Sequence, residues 1–312
     1  MINKEQNFAS AIIYVHNAEN RVESFLKTII DVMETNFHHS EIICVNDAST
    51  DGSLVEIKKV SSLASCTSLS VINMSYFHGL EMAMNAGINL SIGDFVFEFD
   101  NTCLDFEPKI IMDIYQRALE GYDIVSASAR RKEKATSRLF YKAFERYTDL
   151  SYKMSTESFR VLSRRVLNRV DSMNKTIPYR KIVYASCGLK TDNIKYNVVN
   201  QHGCSQDSKE KSYRISLAID SLILFTEVGY SFAKAMTILM MCMSIAMVSY
   251  SLFIYITAHP VAGWTTTILF LSIAFFGLFG ILTIVIKYLQ IMIDLIFKRK
   301  QYTFENIEKL TK

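Results

Sequence analysis

The chain has 312 residues, half of them hydrophobic, with 34 Lys and Arg against 31 Asp and Glu. That length supports one large or two modest domains with a sizeable core. A net charge of +3 is too mild for a nucleic-acid partner, and six cysteines (Cys44, Cys66, Cys103, Cys187, Cys204 and Cys242) without CxxC or Cys/His pairing read as buried or idle thiols rather than a zinc site.

The opening MINKEQNF reads as carrying no signal peptide. Phe8 to Val15 is a predicted strand. The turn His16-Asn17-Ala18-Glu19-Asn20 follows, then a helix over Arg21 to Met33, where Val22, Phe25, Leu26, Ile29, Ile30 and Met33 recur at helical spacing. Glu41 to Val45 is a second strand, ending in the polar run Asn46-Asp47-Ala48-Ser49-Thr50-Asp51-Gly52-Ser53 before a helix over Leu54 to Ser62. Leu69 to Met74 is a third strand and Gly79 to Leu90 a helix. Phe95 to Phe99 is a short buried strand, apolar except for Glu98, and Asp100 follows it directly. Pro108 opens a helix over Ile110 to Leu119, and Tyr122 to Ala127 is another strand. Strands alternating with helices predict an α/β fold with a doubly wound, mostly parallel sheet. Right-handed crossovers bring the ends of the first, second and fourth strands to one edge. Ligands of such sheets sit there, so Asn17, Asp47 and Asp100 are expected in a common crevice.

The Asp47–Ser53 loop has two readings. Its oxygens supply turn geometry and helix caps, or its carboxylates accept hydrogen bonds from a nucleobase or from ribose hydroxyls. Asp105, just before Pro108, is equally a cap or a ligand group. A P-loop and a GxGxxG run are both absent, which argues against phosphate-wrapping and dinucleotide sites.

Beyond the last predicted strand, Arg130, Arg131 and Lys132 form a basic run, read as a solvated loop or an anion site. Arg160, Arg164 and Arg165 add three more arginines among apolar residues. Arginine suits bidentate phosphate contacts, and basic groups shortly before a membrane segment suit a lipid phosphate. Residues 216–231 predict an amphipathic interfacial helix. Ala235 to Thr257 and Trp264 to Ile286 contain no Asp, Glu, Lys or Arg, and each is long enough to cross about 30 Å of hydrocarbon. The pair predicts a transmembrane hairpin. Lys234, Lys287 and Lys298-Arg299-Lys300 flank it and the link carries no Lys or Arg, so both termini and the amino-terminal domain are expected on the cytoplasmic side. The expected domains are 1–215, the interfacial helix 216–231, and the hairpin with its juxtamembrane tail, 232–312.

The order of these pieces resembles family 2 glycosyltransferases of the polyprenyl-phosphate type, a group that includes dolichol-phosphate mannose synthase and bacterial undecaprenyl-phosphate glucosyltransferases. The matching stretches are Val15-His-Asn-Ala-Glu19, Asn46-Asp-Ala-Ser-Thr-Asp-Gly-Ser53 (D-D-G-S-T-D-G-T in the family), Gly79-Leu-Glu-Met-Ala83, Asp100 to Asp105, Phe159-Arg160 and the terminal hairpin. The resemblance implies a GT-A fold and an inverting transfer of a sugar from a nucleotide-diphosphate donor to a polyprenyl phosphate at the plasma (inner) membrane. It implies Asp100 and Arg160 as catalytic residues. Asn17, Glu19, Asp47, Asp51 and Asp100 would hold the donor, and Arg130, Arg131, Arg160 and Arg164 the lipid phosphate. It further implies Mg2+ or Mn2+ at Asp100 with Asp105, and association into a homo-oligomer. Thr102 and Leu104 stand where the family carries oxygen-bearing ligands, and Ser158 where it carries an acid. A hard cation wants several oxygens, so these changes weaken the metal site. A catalytically weak or inactive scaffold subunit of a glycan-assembly complex is the alternative.

Overall fold

The computed structural model describes residues 4–131, 156–172, 179–199 and 304–309, with scattered helical positions between 210 and 292. The chain divides into two units, one of residues 1–145, 149–217 and 299–312 and the other of 146–148 with 218–298. Of the second unit, scattered helical positions such as Leu239 and Thr267 are described.

The first unit is built on a sheet whose eight described strands are β1 (Ala9–Val15), β2 (Ser40–Asn46), β3 (Ser68–Met74), β4 (Phe95–Phe99), β5 (Ile124–Ala129), β6 (Phe159–Ser163), β7 (Thr191–Tyr196) and β8 (Phe304–Lys309). Their spatial order is β7-β5-β6-β4-β1-β2-β3-β8. The β4-β1-β2-β3 block and the β5-β7 pair are parallel, whereas β6 and β8 run against their neighbours. Every residue of β1 is buried, as a central parallel strand covered on both faces requires.

Helices cover both faces. On one lie α1 (Glu19–Asn36), α2 (Ser53–Ser61) and α4 (Lys109–Leu119). Val22, Phe25 and Leu26 of α1, Ile57 of α2 and Ile111 and Ile114 of α4 pack there against Ala11, Ile13 and Val15. On the other lie α3 (Leu80–Leu90), α5 (Arg164–Ser172) and α6 (Arg180–Ser186). Ala83, Val166 and Tyr184 there pack with Ile12, Ile43 and Val96. This is the expected doubly wound α/β sheet of GT-A type, and β4-β1-β2 are neighbours, as right-handed crossovers demand.

Because β6 is antiparallel, its amino end lies at the carboxyl edge of β4 and β5: Phe159 pairs with Phe99 and Ser163 with Phe95. Residues 304–309, read from sequence as part of a juxtamembrane tail, pair as β8 with β3. Both stretches read as membrane spans lie mostly outside the described residues, as do Lys132 and most of the 216–231 helix. Among the described residues no helix is long and apolar enough to cross a membrane. Cys44, Cys66 and Cys187 are free thiols, as expected, but Cys103 is disulfide-bonded, which corrects the reading of all six as idle thiols.

Candidate active site

At the carboxyl edge, the loops after β1 and β2 are stitched together. The Asn17 backbone, at φ 45°, donates its N–H to Ser49 Oγ (3.1 Å), and Asn17 Oδ1 accepts from the Thr50 N–H (2.9 Å). Glu19 and Asp51 serve each other's loops. Asp51 Oδ2 accepts the Glu19 N–H (3.0 Å), and Glu19 Oε2 accepts the Gly52 N–H (3.1 Å). Burial would raise the Asp51 pKa, but donors from Ser53 and the Glu19 backbone outweigh it and lower it.

Asp47 points inward. Its side chain is fully buried; Oδ1 accepts the His78 N–H (2.8 Å), and Oδ2 accepts the Gly79 N–H (2.8 Å) and the Tyr14 hydroxyl (3.1 Å). Gly79 takes φ 83°, a left-handed conformation open to glycine, and so presents its N–H at the start of α3. Burial pushes the Asp47 carboxyl above its usual range despite these donors.

Two residues into α3, Glu81 starts a second network, which reaches Asp100. Arg180, the first residue of α6, donates from its backbone N–H (2.8 Å) and from Nε (3.0 Å) to Glu81 Oε2. Its Nη1 lies 2.9 Å from Glu98 Oε1, and its Nη2 donates to Asp100 Oδ1 at 2.9 Å. Arg160 mirrors it. Nη2 donates to Asp100 Oδ2 at 2.9 Å, Nη1 lies 3.3 Å from Glu98 Oε2, and Nε lies 3.4 Å from Glu157. Glu98 and Asp100, two apart on one face of the β4 strand line, thus bridge both guanidiniums, and Glu98 also accepts the Tyr184 hydroxyl (2.7 Å). Glu81, Glu98, Asp100, Arg160, Arg180 and Tyr184 are all buried; Arg160 is 1% exposed. Burial works against the charge on Asp100, but Arg160, Arg180 and Lys181 outweigh it and hold its pKa at about 2. The same acids raise both arginines against the pull of burial.

The glycosyl transferase family 2 profile matches residues 10–172, just over half of the chain and the whole of this edge up to α5. The chain belongs to that family. It is 29% identical over 187 residues to an uncharacterized glycosyltransferase, sll0501, of Synechocystis, covering 58% of each chain. It is 24% identical to a prophage bactoprenol glucosyl transferase homolog of Escherichia coli, over 70% of this chain and 72% of that one. Among solved structures, a mannosyltransferase from Pyrobaculum calidifontis in complex with GDP-Man and Mn2+ aligns with a TM-score of 0.47 at 13% identity, over 95% of this chain and 89% of that one.

As a family 2 glycosyltransferase the chain is a transferase, and its sequence-predicted residues divide by position. Asn17, Glu19 and Asp51 meet at the β1 and β2 tips, Asp47 sits beneath them, and Asp100 and Arg160 meet at the tips of β4 and β6. Arg131 lies 3.3 Å from Asp105, which also accepts the Tyr196 hydroxyl at 2.9 Å, while the Arg130 backbone pairs with Tyr196. Arg164 does not join Arg160. It donates from Nε to the Gly93 carbonyl (2.8 Å) and from Nη2 to the Ser91 carbonyl (3.1 Å), at the opposite end of β6. Four residues of strand place them on the order of 13 Å apart.

The expected divalent cation does not fit the donors present. Both oxygens of Asp100 accept from guanidinium groups, and Asp105 is shared between Tyr196 and Arg131. Asn101 Oδ1 accepts the Cys103 N–H, and Thr102 is buried. Among the described residues no group of three or more His, Cys, Asp or Glu is arranged to hold an ion.

Sequence reasoning missed Arg180, Glu81 and Tyr184. One signal was available: Glu98 stands alone in an apolar strand, and a buried carboxylate requires a buried cation.

Proposed function

We propose that this chain moves a sugar from a nucleotide-diphosphate donor to a polyprenyl phosphate and is anchored in the plasma membrane by its carboxyl-terminal hairpin. The observation that carries this reading is the shared edge. Asn17, Glu19 and Asp51 meet there, and α3 ties Asp47, through Gly79 and Glu81, to Arg180 and Asp100. Family membership supports the transfer chemistry. The relative named as a bactoprenol glucosyl transferase homolog supports a polyprenyl phosphate acceptor. Chain connectivity supports the hairpin: the chain leaves the first unit after 217, returns at 299, and adds β8 to the same sheet. A segment between two such points crosses a membrane an even number of times. The sheet and both termini then lie on the cytoplasmic side, in agreement with the flanking Lys and Arg.

In the transfer, an acceptor phosphate oxygen forms a bond to the anomeric carbon, the bond from that carbon to the diphosphate breaks, and the nucleoside diphosphate leaves. The acceptor is already ionised at neutral pH, so the protein must chiefly orient two anions and offset their repulsion. Asn17 and the Asp51 loop orient the donor, while Arg130 and Arg131, at the β5 tip, face the anions.

The test is transfer of labelled sugar from UDP- and GDP-sugars to undecaprenyl phosphate by purified full-length protein in detergent. A lipid-soluble product is expected, and Asp100→Ala lowers its rate on the order of a hundredfold. Full activity in that variant overturns the site. The occupied carboxylate of Asp100 favours one second reading, a glycosyltransferase-like scaffold subunit. Absence of both product and nucleotide binding would establish it.

A further inference from the structure

The two arginines on Asp100 deserve a role of their own. Arg180 is surrounded by three carboxylates, Glu81, Glu98 and Asp100, at 3.0, 2.9 and 2.9 Å from its Nε, Nη1 and Nη2. Glu81 grips it twice, at the side chain and at the backbone N–H, so the guanidinium is fixed at the start of α6. Arg160 takes the other oxygens of Glu98 and Asp100, from directly across the sheet, since Glu98 pairs with Arg160 in the β4–β6 register. Side-chain exposure at Glu81, Glu98, Arg160 and Arg180 is 8% or less. Three carboxylates arranged around a planar, five-donor fork have the spacing of a guanidinium. Mg2+ requires near-octahedral oxygens at about 2.1 Å, which this spacing does not supply. A divalent ion brought to either Asp100 oxygen would displace one guanidinium and stand beside the other.

We propose that Arg180, paired with Arg160, occupies the place of a divalent cation on Asp100, so that this transferase binds its nucleotide without metal. The proposal rests on the transferase reading above. Arg180 is a positioning residue: it fixes Asp100 as an anion and supplies permanent positive charge where a relative with a free aspartate would recruit an ion. Loss of oxygen ligands at Thr102 and Leu104 then has a physical counterpart, because the charge those ligands would have gathered is carried by side chains of this chain.

Two measurements on the full-length protein in detergent test it. In the first, Mn2+ is titrated into wild type and Asp100→Asn, and the free ion is followed by electron paramagnetic resonance. The two curves are expected to superimpose up to about 1 mM. Uptake by wild type below about 100 μM that Asp100→Asn abolishes would overturn the proposal. In the second, UDP and GDP binding to wild type is measured by calorimetry in EDTA and in MnCl2. Affinities are expected to agree within about twofold, and a loss of about tenfold or more in EDTA overturns the proposal. If neither nucleotide binds in either buffer, the transferase reading fails, and the Mn2+ titration alone decides whether Asp100 holds a cation. The wild-type measurements need no variant to fold.

Discussion

Ala48 occupies a backbone conformation that alanine rarely adopts, φ 50°, in the tight turn between Asp47 and Ser49. Left-handed backbone costs a residue with a Cβ about 1–2 kcal/mol. The related motif carries glycine at this position. Glycine relieves the clash but gives up about 0.5–1 kcal/mol of chain entropy. Ala48→Gly is therefore expected to stabilise the fold by roughly half a kcal/mol, read as a higher urea midpoint. A lower midpoint would show that the Ala48 methyl contributes more than its backbone loses. The carboxylates answer to pH with opposite signs. Asp100 has a folded pKa of about 2 against an ordinary 3.8. Its stabilisation is therefore complete above pH 4 and is lost as pH falls through about 2. The difference is worth on the order of 2 kcal/mol. Asp47 has a raised folded pKa, so its contribution is complete below 3.8 and fades as pH rises through the folded value. Thermal melts between pH 4 and 2 should lose stability steeply in wild type and less steeply in Asp100→Asn. Equal slopes would mean that the arginines do not hold the Asp100 charge.

The alternating elements were legible because each buries a stripe of fixed period: the α1 positions Val22, Phe25, Leu26, Ile29 and Ile30 and the apolar strand Phe95–Phe99 appear as read. The Asp100 tip was legible for the same reason, since a polar residue ending a buried strand marks the sheet edge. β6 was not legible as a strand. Its five residues, FRVLS, carry Arg160 at a core position, and charge in a short segment reads as surface unless its partner is known. That partner comes from the neighbouring strand and from an arginine 80 positions from Asp100 in sequence, a separation no local pattern bridges. Arg160 and Arg164 looked like one basic cluster, yet strand extension puts them at opposite ends of β6. Helix α3 offers a test of packing at this scale. A Cβ on Gly87 would meet Ile12 Cγ2 at 2.4 Å and Val45 Cγ2 at 3.0 Å. Gly87→Ala must push α3 off β1 and β2, and α3 carries both the Gly79 donor and Glu81. A loss of about 1–3 kcal/mol is expected by urea unfolding. An unchanged midpoint would mean the helix shifts freely on the sheet.

At the scale of the molecule, the strand that closes the sheet comes from the far end of the chain. β8 pairs antiparallel with β3, Ile72 opposite Ile307 and Ser70 opposite Lys309. Without it, β3 would be an edge strand, and its residues Val71, Ile72 and Met74 are buried and apolar. An unpaired, hydrophobic edge is a template for intermolecular pairing. β8 therefore has a protective role as well as a topological one: it returns the chain to its own sheet after the hydrophobic third and occupies the edge that another copy would seek. Deleting residues 299–312 leaves in place the hydrogen bonds described for the Asp100 network and for the β1 and β2 loops, whose partners lie elsewhere in the first unit. The truncated protein is expected to bind nucleotide when fresh. It is also expected to melt earlier and to shift to higher oligomers with time and concentration, measured by light scattering in detergent. Adding back the tail as a peptide should slow that shift, because the peptide restores the ladder on β3. A truncated protein with unchanged melting and unchanged size would show that the β3 edge is protected by something other than β8.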